Sequence, residues 1–298
     1  MQKSLAIIGA GRVGRALGRL LRELDWKIGA VVTRSDASAR RAVRFIGAGQ
    51  PHAAMTRQIL ASHVILVATP DDKVMEVAHE LARIGVEELR GKVVLHTCGV
   101  LDSSALEVLR GHGATVGSLH PMQTFSGVGT PPLEGRIFAI EGDTTAVRVA
   151  RQMARALGGA PVQINGAGKP VYHAAGAMAA GHVLAVMEAA MGLLTSSGMT
   201  RGVAARALLP LTRQVLANFE GLGPRAAWTG PLSRGDYCVV AAHAAALQEF
   251  PAEIGEAYAA LNRLAARVLA KNPETMLAEL DKISVGKKVK AQSTGGKA

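Results

Sequence analysis

Leu5-Ala6-Ile7-Ile8-Gly9-Ala10-Gly11-Arg12-Val13-Gly14 decides how the first half of this chain is read. A short apolar run ends in Gly9-x-Gly11-x-x-Gly14, and apolar residues at helical spacing continue from Arg12 to Leu24. Strand, tight glycine turn and helix form the setting in which a dinucleotide fingerprint operates. Gly9 permits the turn, Gly11 lets the backbone approach a pyrophosphate, and Gly14 lets the helix pack close to the strand. A diphosphate would lie on the free N–H groups where the helix begins, and the helix dipole favours negative charge there. The expected cofactor contacts are therefore Gly9, Ala10, Gly11, Arg12, Val13 and Gly14.

The second strand selects the cofactor. Ile28 to Thr33 is rich in β-branched residues and reads as a strand. Arg34-Ser35 stands just past it, 20 positions after Gly14. An NAD site carries Asp or Glu near this point to hold the ribose 2′-hydroxyl. A carboxylate repels a 2′-phosphate, whereas a guanidinium and a hydroxyl bind it. NADP(H) is the expected cofactor, with Arg34 and Ser35 on its phosphate. In the competing reading Arg34 is a solvated loop charge and Asp36 holds the ribose.

Working outward, strands and helices alternate. His63 to Ala68, Lys92 to His96, Ala114 to Leu119, Ile137 to Glu141 and Val162 to Ile164 read as further strands. Arg40 to Ile46, Val74 to Ile84, Leu101 to Arg110 and Thr144 to Leu157 read as helices between them. This pattern predicts an α/β Rossmann domain with a doubly wound, mostly parallel sheet over residues 1–165. Ligands in such sheets bind beyond the carboxyl ends of the strands, which brings Thr69, Pro70, Thr97 and His120 towards one cleft.

Beyond Asn165-Gly166-Ala167-Gly168-Lys169-Pro170 only helices follow. Val171 to Leu194 is long and apolar almost all round, which predicts a buried core helix. Arg201 to Phe219, Asp236 to Glu249, Ala252 to Ala270 and Pro273 to Ile283 complete an all-α domain over 166–284. A loop dense in special residues, Trp228 to Asp236, interrupts them. Lys287, Lys288, Lys290 and Lys297 lie in the last 12 residues with no acid, so 285–298 reads as a basic disordered tail.

The formal net charge is +11 while aromatics make up 3% of the residues, so the aromatic interleaving of single-strand nucleic-acid binders is missing. A basic enzyme with an anionic cofactor and a small anionic substrate accounts for the charge, with no nucleic acid and no membrane as partner. Cys98 and Cys238, both in apolar surroundings, are expected to be buried and make no disulfide framework. No His/Cys/Asp/Glu cluster supports a metal site. Lys3 before Leu5 to Ala10 imitates a signal peptide, but Arg12 and Arg15 interrupt it, so the expected location is cytoplasmic.

Five short motifs occur in order: Leu95-His96-Thr97-Cys98-Gly99, Leu119-His120-Pro121-Met122-Gln123-Thr124-Phe125, Phe138-Ala139-Ile140-Glu141-Gly142-Asp143, Tyr172-His173-Ala174-Ala175, and Thr229-Gly230-Pro231-Leu232-Ser233-Arg234-Gly235-Asp236. Together they resemble bacterial Rossmann-like oxidoreductases whose C-terminal part is domain of unknown function 2520. The likeness covers about Leu5 to Ile283. The group lies within the 6-phosphogluconate dehydrogenase-like superfamily, with pyrroline-5-carboxylate reductases, β-hydroxyacid dehydrogenases and prephenate dehydrogenases. The resemblance implies an NADP-binding fold and a homodimer formed through the helical domain; it supplies no substrate. In the β-hydroxyacid dehydrogenases a glycine turn leads to a catalytic Lys and then an Asn. Here Lys169 and Tyr172-His173 follow at a different spacing, and Ala180-Gly181-His182 stands where related chains carry Asn.

Reduction of a carbonyl needs a proton donor beside the nicotinamide. His120 is the first candidate, because Pro121 holds its backbone extended at a strand end; the alternative is that it only bonds a turn. The same His-Pro pair resembles one in prephenate dehydrogenases, where the His serves the substrate site. Lys169 and Tyr172, three apart, share a helical face and form a second candidate donor-and-charge pair. Against that, Lys169 would bind cofactor phosphate and Tyr172 would pack at a domain interface. His173, Ser233, Arg234 and Asp236 are candidate substrate contacts, with Arg234 on a carboxylate; Asp236 equally fits a helix N-cap. The expected activity is an NADP-dependent reductase or dehydrogenase. The alternative is a cofactor-binding sensor or scaffold without turnover, since fold does not fix function.

Overall fold

The computed structural model describes residues 3–85 and 87–294. It divides into two compact units, residues 1–182 and 183–298. The first opens with β1 (Ser4–Ile8), α1 (Arg12–Glu23), β2 (Lys27–Val32), α2 (Asp36–Ile46) and β3 (Gln50–His52). It continues through β4 (Val64–Val67), α3 (Val74–Ile84), β5 (Val93–His96), α4 (Glu107–Arg110) and β6 (Thr115–Pro121). Then come β7 (Ile137–Gly142), α5 (Thr144–Ala156), β8 (Ala160–Gln163) and α6 (Lys169–Ala177).

The strands form one sheet in the order β3-β2-β1-β4-β5-β6-β7-β8. All pairs are parallel except β6 with β7. Strand order reverses between β1 and β4, which opens a crevice at their carboxyl ends. Because side chains alternate along a strand, Leu5 and Ile7 enter one core while Ala6 and Ile8 enter the other. Each face is then sealed by helices: Leu17 and Leu21 of α1 on one side, Val74 and Leu81 of α3 on the other. Two-sided cover is what allows strands as apolar as Val64–Val67.

The second unit holds α7 (Val183–Ser196), α8 (Arg201–Leu222), α9 (Pro224–Ala227), α10 (Pro231–Arg234), α11 (Tyr237–Ala246), α12 (Ala252–Leu269) and α13 (Pro273–Thr294). Its core is small, built on Leu232, Val240, Ala266, Leu277 and Leu280.

Several expectations are corrected here. The helix foreseen from Val171 to Leu194 is two helices, α6 and α7, joined by a π-helical stretch at Met178–His182. It is also exposed rather than buried. The helical run Gly166–Ser196 contains an 18-residue window of mean hydropathy 1.6, long enough to cross a membrane, and none of that window is buried within the chain. Its apolar faces outnumber the surfaces this chain offers to cover them. The compact units divide after His182, not at residue 165, because the first turns of α6 dock on the Rossmann sheet. The segment expected as a disordered tail is helical to Thr294, and residues 295–298 lie outside the described residues. Its Ala, Gln and Lys residues are good helix formers. Cys98 is buried as expected, but Cys238 is exposed, since α11 has no strongly apolar stripe to orient it. The helix read from Leu101 to Arg110 begins as a 3-10 turn at Ser103–Leu106.

Candidate active site

The glycine turn folds as its spacing requires. Gly9 has φ +86°, and a Cβ there would lie 2.6 Å from the Thr69 amide nitrogen. A Cβ at Gly14 would collide with the Gly9 carbonyl oxygen. Nothing lies within 4 Å of the position a Gly11 Cβ would take, so the chain leaves open space over that backbone. α1 has no side-chain cap and no acid in its first turn. Its leading N–H groups are therefore available to an anion. The buried Thr69 hydroxyl oxygen has no hydrogen-bond partner, at the end of β4 and beside Gly9. Open space over the Gly11 backbone, uncapped donors and an orphaned hydroxyl together fit a diphosphate. The loop after β6 borders the same place: Arg15 donates to the Gly127 carbonyl at 2.7 Å, and a Cβ at Gly127 would lie 3.4 Å from the Arg12 side chain.

At the end of β2, Arg34 is exposed and carries no ion pair or hydrogen bond among the described residues. Ser35 caps α2, accepting from the Ser38 amide at 3.3 Å. Asp36, the rival ribose ligand, is held by Arg40 at 2.7 Å. The free group at this position is thus the cation.

Parallel register aligns Val67, His96 and Ser118 on β4, β5 and β6. Thr69, Thr97 and His120 consequently emerge together at the carboxyl edge. Pro70 leads into a short 3-10 turn, and the Thr97 amide donates to the Val67 carbonyl at 3.0 Å. His120 Nδ1 lies 2.9 Å from the Tyr172 hydroxyl, and the His120 and His173 rings meet edge-on with centroids 5.7 Å apart. Gly99 makes room for both imidazoles: a Cβ there would lie 2.8 Å from His120 Nε2 and collide with His173. Burial, then the charges of Lys169 and His173, push His120 down to about 4, so it is neutral at pH 7. Burial pushes the Tyr172 phenol up to about 12, so it keeps its proton.

Lys169 lies beneath this pair, wholly buried, rather than lining open space. Its Nζ donates to the Cys98 carbonyl at 2.9 Å and to Ser118 Oγ at 2.8 Å, with Glu141 Oε1 at 3.9 Å. Burial lowers its pKa, and Glu141 opposes the shift. His96 belongs to the same layer. The Cys98 amide donates to its Nδ1, which leaves the proton on Nε2 to donate to the Asp102 carbonyl. Burial pushes His96 down to about 3. Ser118, Glu141, His96 and Gly99 were not among the residues expected at the site. A glutamate inside the apolar strand Phe138-Ala139-Ile140-Glu141 is the signal that pointed to a buried partner.

Ser233, Arg234 and Asp236 lie in the second unit and are drawn to one another or to backbone. Arg234 holds Asp236 Oδ2 through Nε at 3.0 Å and the terminal nitrogen at 2.9 Å. Asp236 sits at the N-cap position of α11 but makes no side-chain cap bond. Ser233 Oγ donates to the Gly230 carbonyl. Among the described residues no group of His, Cys, Asp and Glu could hold a metal ion.

Residues 1–121 match the Rossmann-like domain and residues 136–265 match the domain of unknown function DUF2520. The chain is a Rossmann-like, DUF2520-bearing protein. The DUF2520 match begins at β7 and ends within α12, so this domain supplies the last two strands, Glu141, Lys169 and the helices up to residue 265. The fold resembles that of a provisionally named NADP oxidoreductase from Bacteroides fragilis, at 24% identity over 88% of this chain and 97% of that one, with TM-score 0.68. It also resembles a reductive aminase from Aspergillus terreus in complex with NADPH and ethyl-5-oxohexanoate, at 20% identity over 90% and 94%, with TM-score 0.68. A Plasmodium falciparum pyrroline carboxylate reductase with NADP bound is similar at 13% identity over 88% and 98%, with TM-score 0.59. No curated protein matches the DUF2520-bearing chain in sequence.

Proposed function

We propose that this protein is an NADPH-dependent reductase of a small carbonyl or imine compound. The observation that carries the reading is the hydrogen-bonded pair of uncharged acids, His120 and Tyr172, on the same sheet edge as the open glycine cradle. Gly9, Gly11 and Gly14, the α1 N–H groups and Thr69 would hold the diphosphate, and Arg34 the 2′-phosphate. The nicotinamide, when bound, supplies a hydride. NADP or NADPH in the named structural neighbours supports the same cofactor.

The proton comes from the protein. At pH 7 His120 carries no charge, and a neutral imidazole N–H is a far weaker acid than a phenol. Tyr172 therefore donates to the substrate heteroatom. As the phenol proton leaves, His120 takes a proton from water at Nε2 while its Nδ1 proton passes to the phenolate oxygen, so the ring stays neutral throughout. Lys169 acts through others: it fixes the Cys98 carbonyl and Ser118, and so the strand ends that present Gly99 and His120. Arg234 already holds the Asp236 carboxylate and is not free for an anionic substrate. In the proposed assembly a second copy of the chain covers the apolar faces of α7 and α8, giving a cytoplasmic homodimer; Leu184 and Leu216 are 71% and 60% exposed.

Titration with NADPH and NADH, followed by a screen of ketones, ketoacids and imines at the nicotinamide absorbance band, tests this reading. NADPH should bind more tightly, and Arg34→Asp should cost about 1–3 kcal/mol towards NADPH alone. Tyr172→Phe should slow turnover by roughly a hundredfold or more with NADPH affinity retained. No binding of either nucleotide removes the reductase reading. Tight NADPH binding with no turnover across the screen favours the cofactor sensor.

A further inference from the structure

The loop from Trp228 to Asp236 has no part in the proposed chemistry, yet it builds one wall of a cavity. We propose that this cavity is a ligand site for a small anion with an aromatic or apolar body. Its volume is about 470 Å³, and every lining residue falls between Arg225 and Met276, inside the second unit. Cavities of several hundred Å³, apolar inside with a few polar groups at defined places, suit small molecules.

The lining divides by chemistry. Trp228 and Tyr237 are half-buried and pack against the core of this unit, so their rings offer flat apolar surface. Arg225 and Lys271 are exposed and line the same cavity. Asn272 and Thr275, at the start of α13, add polar groups beside them. No Asp or Glu lines the cavity.

Among the described residues, five cations of the same unit are paired, and the unpaired Arg206 and Arg213 do not line the cavity. Arg201, Arg234, Arg263, Arg267 and Lys282 each hold a carboxylate. Arg225 and Lys271 hold none and make no hydrogen bond among the described residues. The nearest acid on α13, Glu274, is taken by Arg267 at 3.6 Å. Two unpaired cations and two aromatic rings lining one cavity favour an anionic head with a planar body, because the head gains charge-assisted bonds and the body gains ring contact. Phosphate and carboxylate share that chemistry, and the experiment separates them.

Calorimetric titration of the full chain with phenyl phosphate, benzoate and benzylamine tests the site, with tryptophan emission recorded in parallel. The chain has two tryptophans, Trp26 and Trp228, so Trp228→Phe assigns the optical signal. Phenyl phosphate or benzoate should bind saturably and alter Trp228 emission, and the stronger of the two identifies the head group. Arg225→Ala and Lys271→Ala should each weaken that binding by about tenfold, as loss of a charged hydrogen bond does. Benzylamine should not bind. Both side chains are exposed, so the variants should fold, and NADPH affinity in them should be unchanged. Binding that neither substitution weakens, equal binding of benzylamine, or no heat from either anion overturns the proposal. None of these outcomes bears on the nucleotide reading.

Discussion

The two units solve the same packing problem in opposite ways. In the first, both faces of the sheet are covered, and even charged groups go inside when the fold supplies partners: Lys169 and Glu141 are both buried. In the second, ion pairs such as Arg201–Glu188 and Arg263–Asp281 lie in solvent, while Leu184, Leu216, Phe219 and Leu222 are 71%, 60%, 57% and 65% exposed. A sheet with helices on each side has no free apolar face. Helices apolar all round have more faces than a small core of five residues can cover. The first unit is thus a self-contained scaffold for chemistry, and the second presents surface.

The sharpest way to break this comparison is to remove the buried charge. Lys169→Met leaves Glu141 enclosed without its cation, and Glu141 Oε1 already lacks a hydrogen bond. Breaking one side of a buried pair typically costs about 3–5 kcal/mol. Urea unfolding of the variant should show a loss in that range, against less than about 1 kcal/mol for Arg263→Ala at an exposed pair. Equal losses at the two positions would mean that the first unit does not depend on its interior charges.

Acid is the next lever. His96 and His120 have folded pKa values pushed down to about 3 and about 4 from 6.5. Between those values and 6.5 the unfolded chain binds protons that the folded chain refuses, so stability falls as pH drops through that window. The neutral histidines contribute in full above about pH 6.5. For His96 alone the loss approaches about 4 kcal/mol near pH 3. Unfolding midpoints measured from pH 7 to pH 4 should decline, and His96→Asn should flatten the decline, since Asn gains no charge. A wild-type midpoint constant across this range would contradict burial of both rings in neutral form.

How much of this was legible in the chain follows the same division. The glycine fingerprint, the order of strands and the meeting of Thr69, Thr97 and His120 follow from short-range pattern plus the rule for parallel sheets. Tyr172 and His173 come to His120 only because α6 docks on the sheet, and that docking depends on Lys169 finding acceptors on β6 and after β5. Periodicity carries no information about such long-range polar contacts. The apolar run after Val171 reads as buried because composition alone does not say whether the chain itself supplies the cover, and here it does not. Ser35 and Asp236 show a related ambiguity: a hydroxyl or carboxylate at a helix start suits a ligand and a cap alike, and here Ser35 caps α2 while Asp236 holds Arg234.

The smallest expected effect on the chain's own stability comes from the surface that should matter most for assembly. Phe219 on α8 is 57% exposed, so Phe219→Lys removes little contact within the chain. Measured where the protein is monomeric, its unfolding free energy should change by no more than about 0.5 kcal/mol, as for other exposed positions. Association should respond very differently. A lysine placed in an apolar contact between copies must lose water without gaining a partner, and aromatic anchors of that kind cost about 2 kcal/mol or more when removed. If the proposed homodimer forms through this face, sedimentation should show the variant as monomer at concentrations where the unaltered chain associates. If instead the variant loses stability as a monomer, the face of α8 is covered from within the chain. The contrast between a closed first unit and an open second one would then fall.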